Sequence, residues 1–72
     1  MNNLERMKDV IARTTGVDEA EITEDSLFAT FCSDSLETVD LLLEIEIEFG
    51  IDIDDPGEVA TVRQALALVG AK

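Results

Sequence analysis

An all-α fold, a small bundle of three to four helices, is what this sequence predicts. Apolar residues recur at helical spacing in three stretches, recognisable capping residues flank those stretches, and no segment alternates long enough for a sheet. The 72 residues are enough for one domain spanning 1–72 with a modest core. Three Phe, with neither Trp nor Tyr, make that core aliphatic, built from Leu, Ile, Val and Met.

The first helix is predicted from Asn3, as N-cap, to Thr15. Leu4, Met7, Val10 and Ile11 form its apolar stripe, and Gly16 stands where a helix end wants a left-handed residue. Residues 17–33 show no sustained period and predict a long loop between the first and second helices. A connection of that length inside a compact domain is expected to pack, here through Val17, Ile22, Leu27, Phe28 and Phe31. The second helix begins at Asp34, an N-cap residue with Glu37 three positions on as in a capping box, and runs to Phe49 before Gly50. Ile51-Asp52-Ile53-Asp54-Asp55 alternates briefly, but Pro56-Gly57 behind it predicts a loop. A short third helix of one turn is expected around Glu58–Ala60. The last helix opens at Thr61, with Gln64 completing a second capping box, and buries Val62, Ala65, Leu66 and Val69.

Charge is distributed unevenly. The formal net charge is −12, and residues 17–60 hold every acidic side chain except Glu5 and Asp9, with no Lys or Arg among them. Such a surface repels nucleic acid and anionic membranes and draws basic protein surfaces toward it, although a charge excess can also serve solubility alone. The single Cys excludes an intramolecular disulfide and, without any His, builds no metal site. No apolar run approaches membrane-spanning length and the N-terminus has no signal-peptide core, which predicts a cytoplasmic monomer without membrane insertion.

Ser35, in Asp34-Ser35-Leu36, is the residue with chemical potential. A nucleophilic serine needs an adjacent base, usually an imidazole, and this chain has none. The acidic surroundings also oppose ionisation of its hydroxyl. Ser35 therefore reads as a place of attachment, and no catalytic residue and no metal ligand is predicted. Asp52, Asp54 and Gly57 have the spacing of the start of a calcium loop. Pro56 and Arg63 stand where that loop needs an oxygen ligand and its final Glu, so no dedicated site is expected.

At about 100° per residue the second helix carries two apolar stripes. Leu41, Leu42, Ile45 and Phe49 form one; Leu36, Val39, Leu43 and Ile47 form the other, roughly opposite, with Glu37, Asp40, Glu44 and Glu48 as an acidic strip between them. The second stripe has two readings, burial under the 17–33 connection or another helix, and an exposed partner-binding surface starting at Ser35.

Asp34-Ser35-Leu36-Glu37-Thr38-Val39-Asp40-Leu41 and Glu46-Ile47-Glu48-Phe49-Gly50-Ile51 together resemble the acyl carrier protein family. The resemblance extends to Gly16-Val17, Ser26-Leu27-Phe28 and Thr61-Val62, and so covers essentially the whole chain. It implies covalent 4′-phosphopantetheine on Ser35, transferred from coenzyme A by a holo-acyl-carrier-protein synthase that uses Mg²⁺, and acyl groups carried as thioesters between enzymes of fatty acid, lipid or secondary-metabolite synthesis. It places Asp34 beside the modifying enzyme's metal site. Leu36, Glu37, Val39, Asp40, Leu43, Glu44, Glu46 and Ile47 become a recognition helix for basic patches on partner enzymes, with Ile53 a loop position that partners touch. An acyl chain would lie among Phe28, Leu41, Ile45, Val59, Ala65 and Leu68, positions that core packing also requires. Three departures point to a specialised carrier: Cys32 where Gly is usual, Ile47 where an acidic residue is common, and a slightly shortened stretch from Ile53 to Val62. Cys32 itself reads as a small, half-buried filler. Two alternatives stay open, an aminoacyl, peptidyl or polyketide carrier, and an acidic adaptor that binds partners and carries nothing.

Overall fold

The computed structural model describes residues 2–70, and four α-helices lie among them: α1 (Asn3–Thr15), α2 (Phe28–Phe31), α3 (Ser35–Phe49) and α4 (Val62–Gly70). α1 starts one residue earlier in its capping than the sequence suggests. Asn2, in extended conformation, is the N-cap, and its Oδ1 accepts the Glu5 N–H at 2.8 Å. Gly16 closes α1 with φ at 81°, in the left-handed region that costs an L side chain strain, and its N–H bonds the Ala12 carbonyl.

The connection from 17 to 33 is more ordered than its aperiodic sequence suggests. A 3-10 turn covers Glu19–Glu21, started by Asp18, whose side chain accepts the Ala20 N–H. Phe28–Phe31 makes one turn of α-helix, α2, which the sequence assigns to loop. Ile22 and Phe28 are buried anchors as expected, whereas Leu27 is 49% exposed. Its backbone explains this: Leu27 pairs with Thr61 in an isolated antiparallel bridge, so Phe28 turns inward and Leu27 outward. Phe28 N–H bonds Ala60 O, Val62 N–H bonds Ser26 O and Arg63 N–H bonds Glu24 O. Arg63 also pairs with Asp25 and, at 4.0 Å, with Glu24. The connection is thereby stitched to the start of α4.

The second capping box forms reciprocally. Gln64 N–H bonds Thr61 Oγ1, and Gln64 Oε1 accepts both the Thr61 and the Ala60 N–H. The turn expected at Glu58–Ala60 lies earlier, as a 3-10 turn over Pro56–Glu58, because Asp55 caps it through the Gly57 N–H and Pro56 suits a first helical position.

One aliphatic core holds these elements together. Met7, Val10 and Ile11 of α1, Ile22 of the connection, Phe28 of α2, Leu41, Leu42 and Ile45 of α3, and Val62 and Ala65 of α4 are all buried, and Ile51, Ile53 and Val59 close it from the loop. α3 is its centre: Leu41, Leu42 and Ile45 of one apolar stripe are buried there, and Phe49 of the same stripe packs against them partly exposed.

Candidate functional site

α3 begins where Asp34, with extended backbone, accepts the Glu37 N–H on Oδ1 at 2.9 Å. Glu37 answers one residue further out than a standard capping box, its Oε2 accepting the Ser33 N–H at 2.6 Å. Asp34 and Glu37 thus hold Ser33 through Glu37 in one arrangement, and Ser35 occupies the first helical position within it. Ser35 is exposed, and its hydroxyl makes no hydrogen bond among the described residues. The position suits a negatively charged substituent, since free N–H groups and the helix dipole meet there, an effect of about 0.3–1 kcal/mol at an exposed site.

The second apolar stripe stays uncovered. Leu36 is 68%, Val39 42%, Leu43 49% and Ile47 76% exposed, so neither the connection nor another helix packs over it. Its acidic flank divides into two parts. Glu48, at the far end, is bound by α1: Arg6 reaches its carboxylate at 3.4 Å and its carbonyl at 3.0 Å, and Arg13 reaches the other carboxylate oxygen at 3.3 Å. The Arg6 guanidinium also lies 4.5 Å from the Phe49 ring centre. Arg13 is held above its ordinary pKa by its hydrogen bond to Asp9, then by the charges of Asp9 and Glu48. Glu37, Asp40 and Glu44 form no ion pair among the described residues, so their charge faces outward beside the stripe.

Glu46 and Ile53 lie differently from the other recognition positions. Glu46 is half-buried and its Oε2 accepts the Ile53 N–H at 2.7 Å, while the Ile53 side chain is only 8% exposed. The sequence reading treats them as two separate surface contacts; the fold joins them. The signal in the sequence is the place of Glu46 on the wheel, between the two apolar stripes and away from the acidic strip.

Of the residues expected around an acyl chain, Phe28, Leu41, Ile45 and Ala65 fill the core. Val59 is buried and Leu68 is 37% exposed, and with Ile53 and Gln64 they line an open cavity of about 270 Å³ between the loop and α4. A second cleft, about 320 Å³, lies between the end of α1 and the start of α3, lined by Thr14, Phe31, Ser33 and Asp40 among others. Ser35 lines neither. Cys32 ends α2, half-buried, with its N–H on the Phe28 carbonyl.

A family model described as PP-binding, phosphopantetheine attachment site, matches residues 5–69. The chain belongs to the phosphopantetheine attachment site family. Its cofactor is therefore covalent 4′-phosphopantetheine, and the match supports membership among the acyl carrier proteins. Carrier domains of this kind are generally non-catalytic, and they meet a phosphopantetheinyl transferase and acyl-handling enzymes. The start of α3 fits such a group, because the carrier offers there an exposed hydroxyl with no competing hydrogen bond. Among the described residues no helix is long and apolar enough to cross a membrane.

Proposed function

We propose that this carrier holds acyl intermediates as thioesters on a 4′-phosphopantetheine arm attached to Ser35, and passes them between enzymes of fatty acid, lipid or secondary-metabolite synthesis. The observation that carries the assignment is the Ser35 hydroxyl, exposed and unengaged at the first position of α3 within the matched residues. In the modification, Ser35 Oγ forms a bond to the β-phosphorus of coenzyme A and adenosine 3′,5′-bisphosphate leaves. The hydroxyl proton passes to a base on the transferase. When bound, the group supplies a thiol at the end of a flexible arm.

The carrier's own residues orient and select. Asp34 holds the start of α3 by accepting the Glu37 N–H and stands beside the acceptor hydroxyl, where a transferase-bound Mg²⁺ would find a carboxylate. Leu36, Val39, Leu43 and Ile47 form a docking row, with Glu37, Asp40 and Glu44 attracting basic partner surfaces along one side. Such docking combines a small apolar area with long-range charge, which suits brief visits by several enzymes. Ile47, the most exposed of the four, extends the row by one turn and supports a specialised carrier with its own partners.

Intact mass after incubation with coenzyme A, Mg²⁺ and a broad-specificity transferase tests the assignment. A gain of one phosphopantetheine in the wild type and none in Ser35→Ala is expected. No gain with any such transferase would leave the acidic-adaptor reading in its place.

A further inference from the structure

Residues 52–55 carry three carboxylates and no basic side chain, and they lie in the connection between α3 and α4. Among the described residues, one hydrogen bond ties this stretch to an α-helix: the Ile53 N–H donating to Glu46 Oε2 at 2.7 Å. The bond is partly buried, 2.7 Å long and made to a carboxylate oxygen, which puts it among the stronger kinds. The same residue, Ile53, both closes the core and lines the 270 Å³ cavity with Val59 and Leu68. Glu46 is anchored in turn, because it lies in the last full turn of α3 and its own carbonyl accepts the Gly50 and Ile51 N–H groups. One residue thereby fixes both the exit of α3 and the loop beyond it. Without the carboxylate, the burial of Ile51 and Ile53 is left to hold the stretch against the core, and the Ile53 N–H loses its hydrogen-bond partner on the helix.

We propose that Glu46 is a latch: its carboxylate holds residues 52–55 against α3, keeps Ile53 seated over the core and so governs access to the cavity beside α4. Its role is positioning. The final step, access for an acyl chain, rests on the carrier reading; the latch itself does not.

Amide hydrogen exchange on the unloaded, full-length protein tests the latch. In Glu46→Ala the Ile53 amide exchanges at least about tenfold faster, the size expected for losing a partly buried hydrogen bond to a charged acceptor. Leu41, Leu42 and Ile45 amides change no more than the shift in global unfolding requires. Glu46→Gln, whose amide oxygen still accepts from Ile53, restores most of the protection although the charge is gone, and Glu44→Ala leaves Ile53 unchanged. Unaltered exchange at Ile53 in Glu46→Ala, or equal acceleration through the whole core, overturns the proposal. Should Glu46→Ala unfold the chain, Glu46→Asp, one methylene too short to reach, takes its place with the same two outcomes. A second measurement uses the protein loaded with an octanoyl thioester and treated with hydroxylamine. Faster cleavage in Glu46→Ala than in wild type is expected, and equal rates overturn the link to cargo access. If no octanoyl arm can be loaded on Ser35 at all, it is the carrier reading that falls, and the exchange result still decides the latch.

Discussion

Ser35 and Gly50 differ in how a single substitution reaches the fold. Ser35 is exposed and its hydroxyl makes no hydrogen bond among the described residues, so Ser35→Ala should leave the unfolding free energy within about 0.5 kcal/mol of wild type while abolishing phosphopantetheine uptake, read by denaturant titration and intact mass. Gly50 has open space around the position a Cβ would take, yet its φ of 66° lies in the left-handed region. Gly50→Ala should therefore destabilise by about 1 kcal/mol through backbone strain alone, seen as a lower urea midpoint with an unchanged slope. Both residues are legible from sequence, because caps and turn glycines act over a few neighbours. Glu46 shows in the sequence only as a wheel position apart from the acidic strip, since its partner Ile53 becomes a neighbour only after the chain turns at Gly50.

At the scale of the element, α3 uses one stripe for the core and leaves the other in solvent. Charge reversal at Asp40 or Glu44 touches no ion pair among the described residues, so helicity should persist by circular dichroism. Modification by the transferase should slow a few-fold at low salt, and the difference should shrink as salt rises. Equal rates at low salt would reduce the acidic strip to a solvated face. Ile47→Glu should leave the general transferase nearly unaffected and weaken partners that use the extended row, measured as the Kd of each with the loaded carrier. The wheel of α3 is readable from the sequence, but which stripe is covered is not. Periodicity gives a residue's direction around a helix and says nothing of what lies there. α2 escapes for a related reason, as one turn is too short to show a period; Phe28 is placed by the Leu27–Thr61 bridge to a distant segment.

For the whole molecule, charge and core size set the terms. The longest dimension is 28 Å, comparable to the screening length at about 0.01 M salt and well beyond the roughly 10 Å at 0.1 M. With a net charge of −12, repulsion at low salt acts across the entire molecule, so the thermal midpoint should rise between those concentrations. A fall would count against self-repulsion as a limiting term. The core allows little margin. Phe28 is the largest fully buried side chain among the described residues, and Phe28→Ala should cost about 3–5 kcal/mol, most of what so small a domain has, seen as loss of a cooperative transition at 37 °C.

The sequence by itself determines the three longer helices, the glycines that end α1 and α3, the acidic face and the motif around Ser35, for these rest on local spacing and composition. Tertiary structure alone decides which α3 stripe stays open, that Glu48 is bound by Arg6 and Arg13 while Glu37, Asp40 and Glu44 face solvent, and that Glu46 holds Ile53. Each of these depends on atoms from segments distant along the chain, and only the packing of those segments on one core brings them within bonding distance.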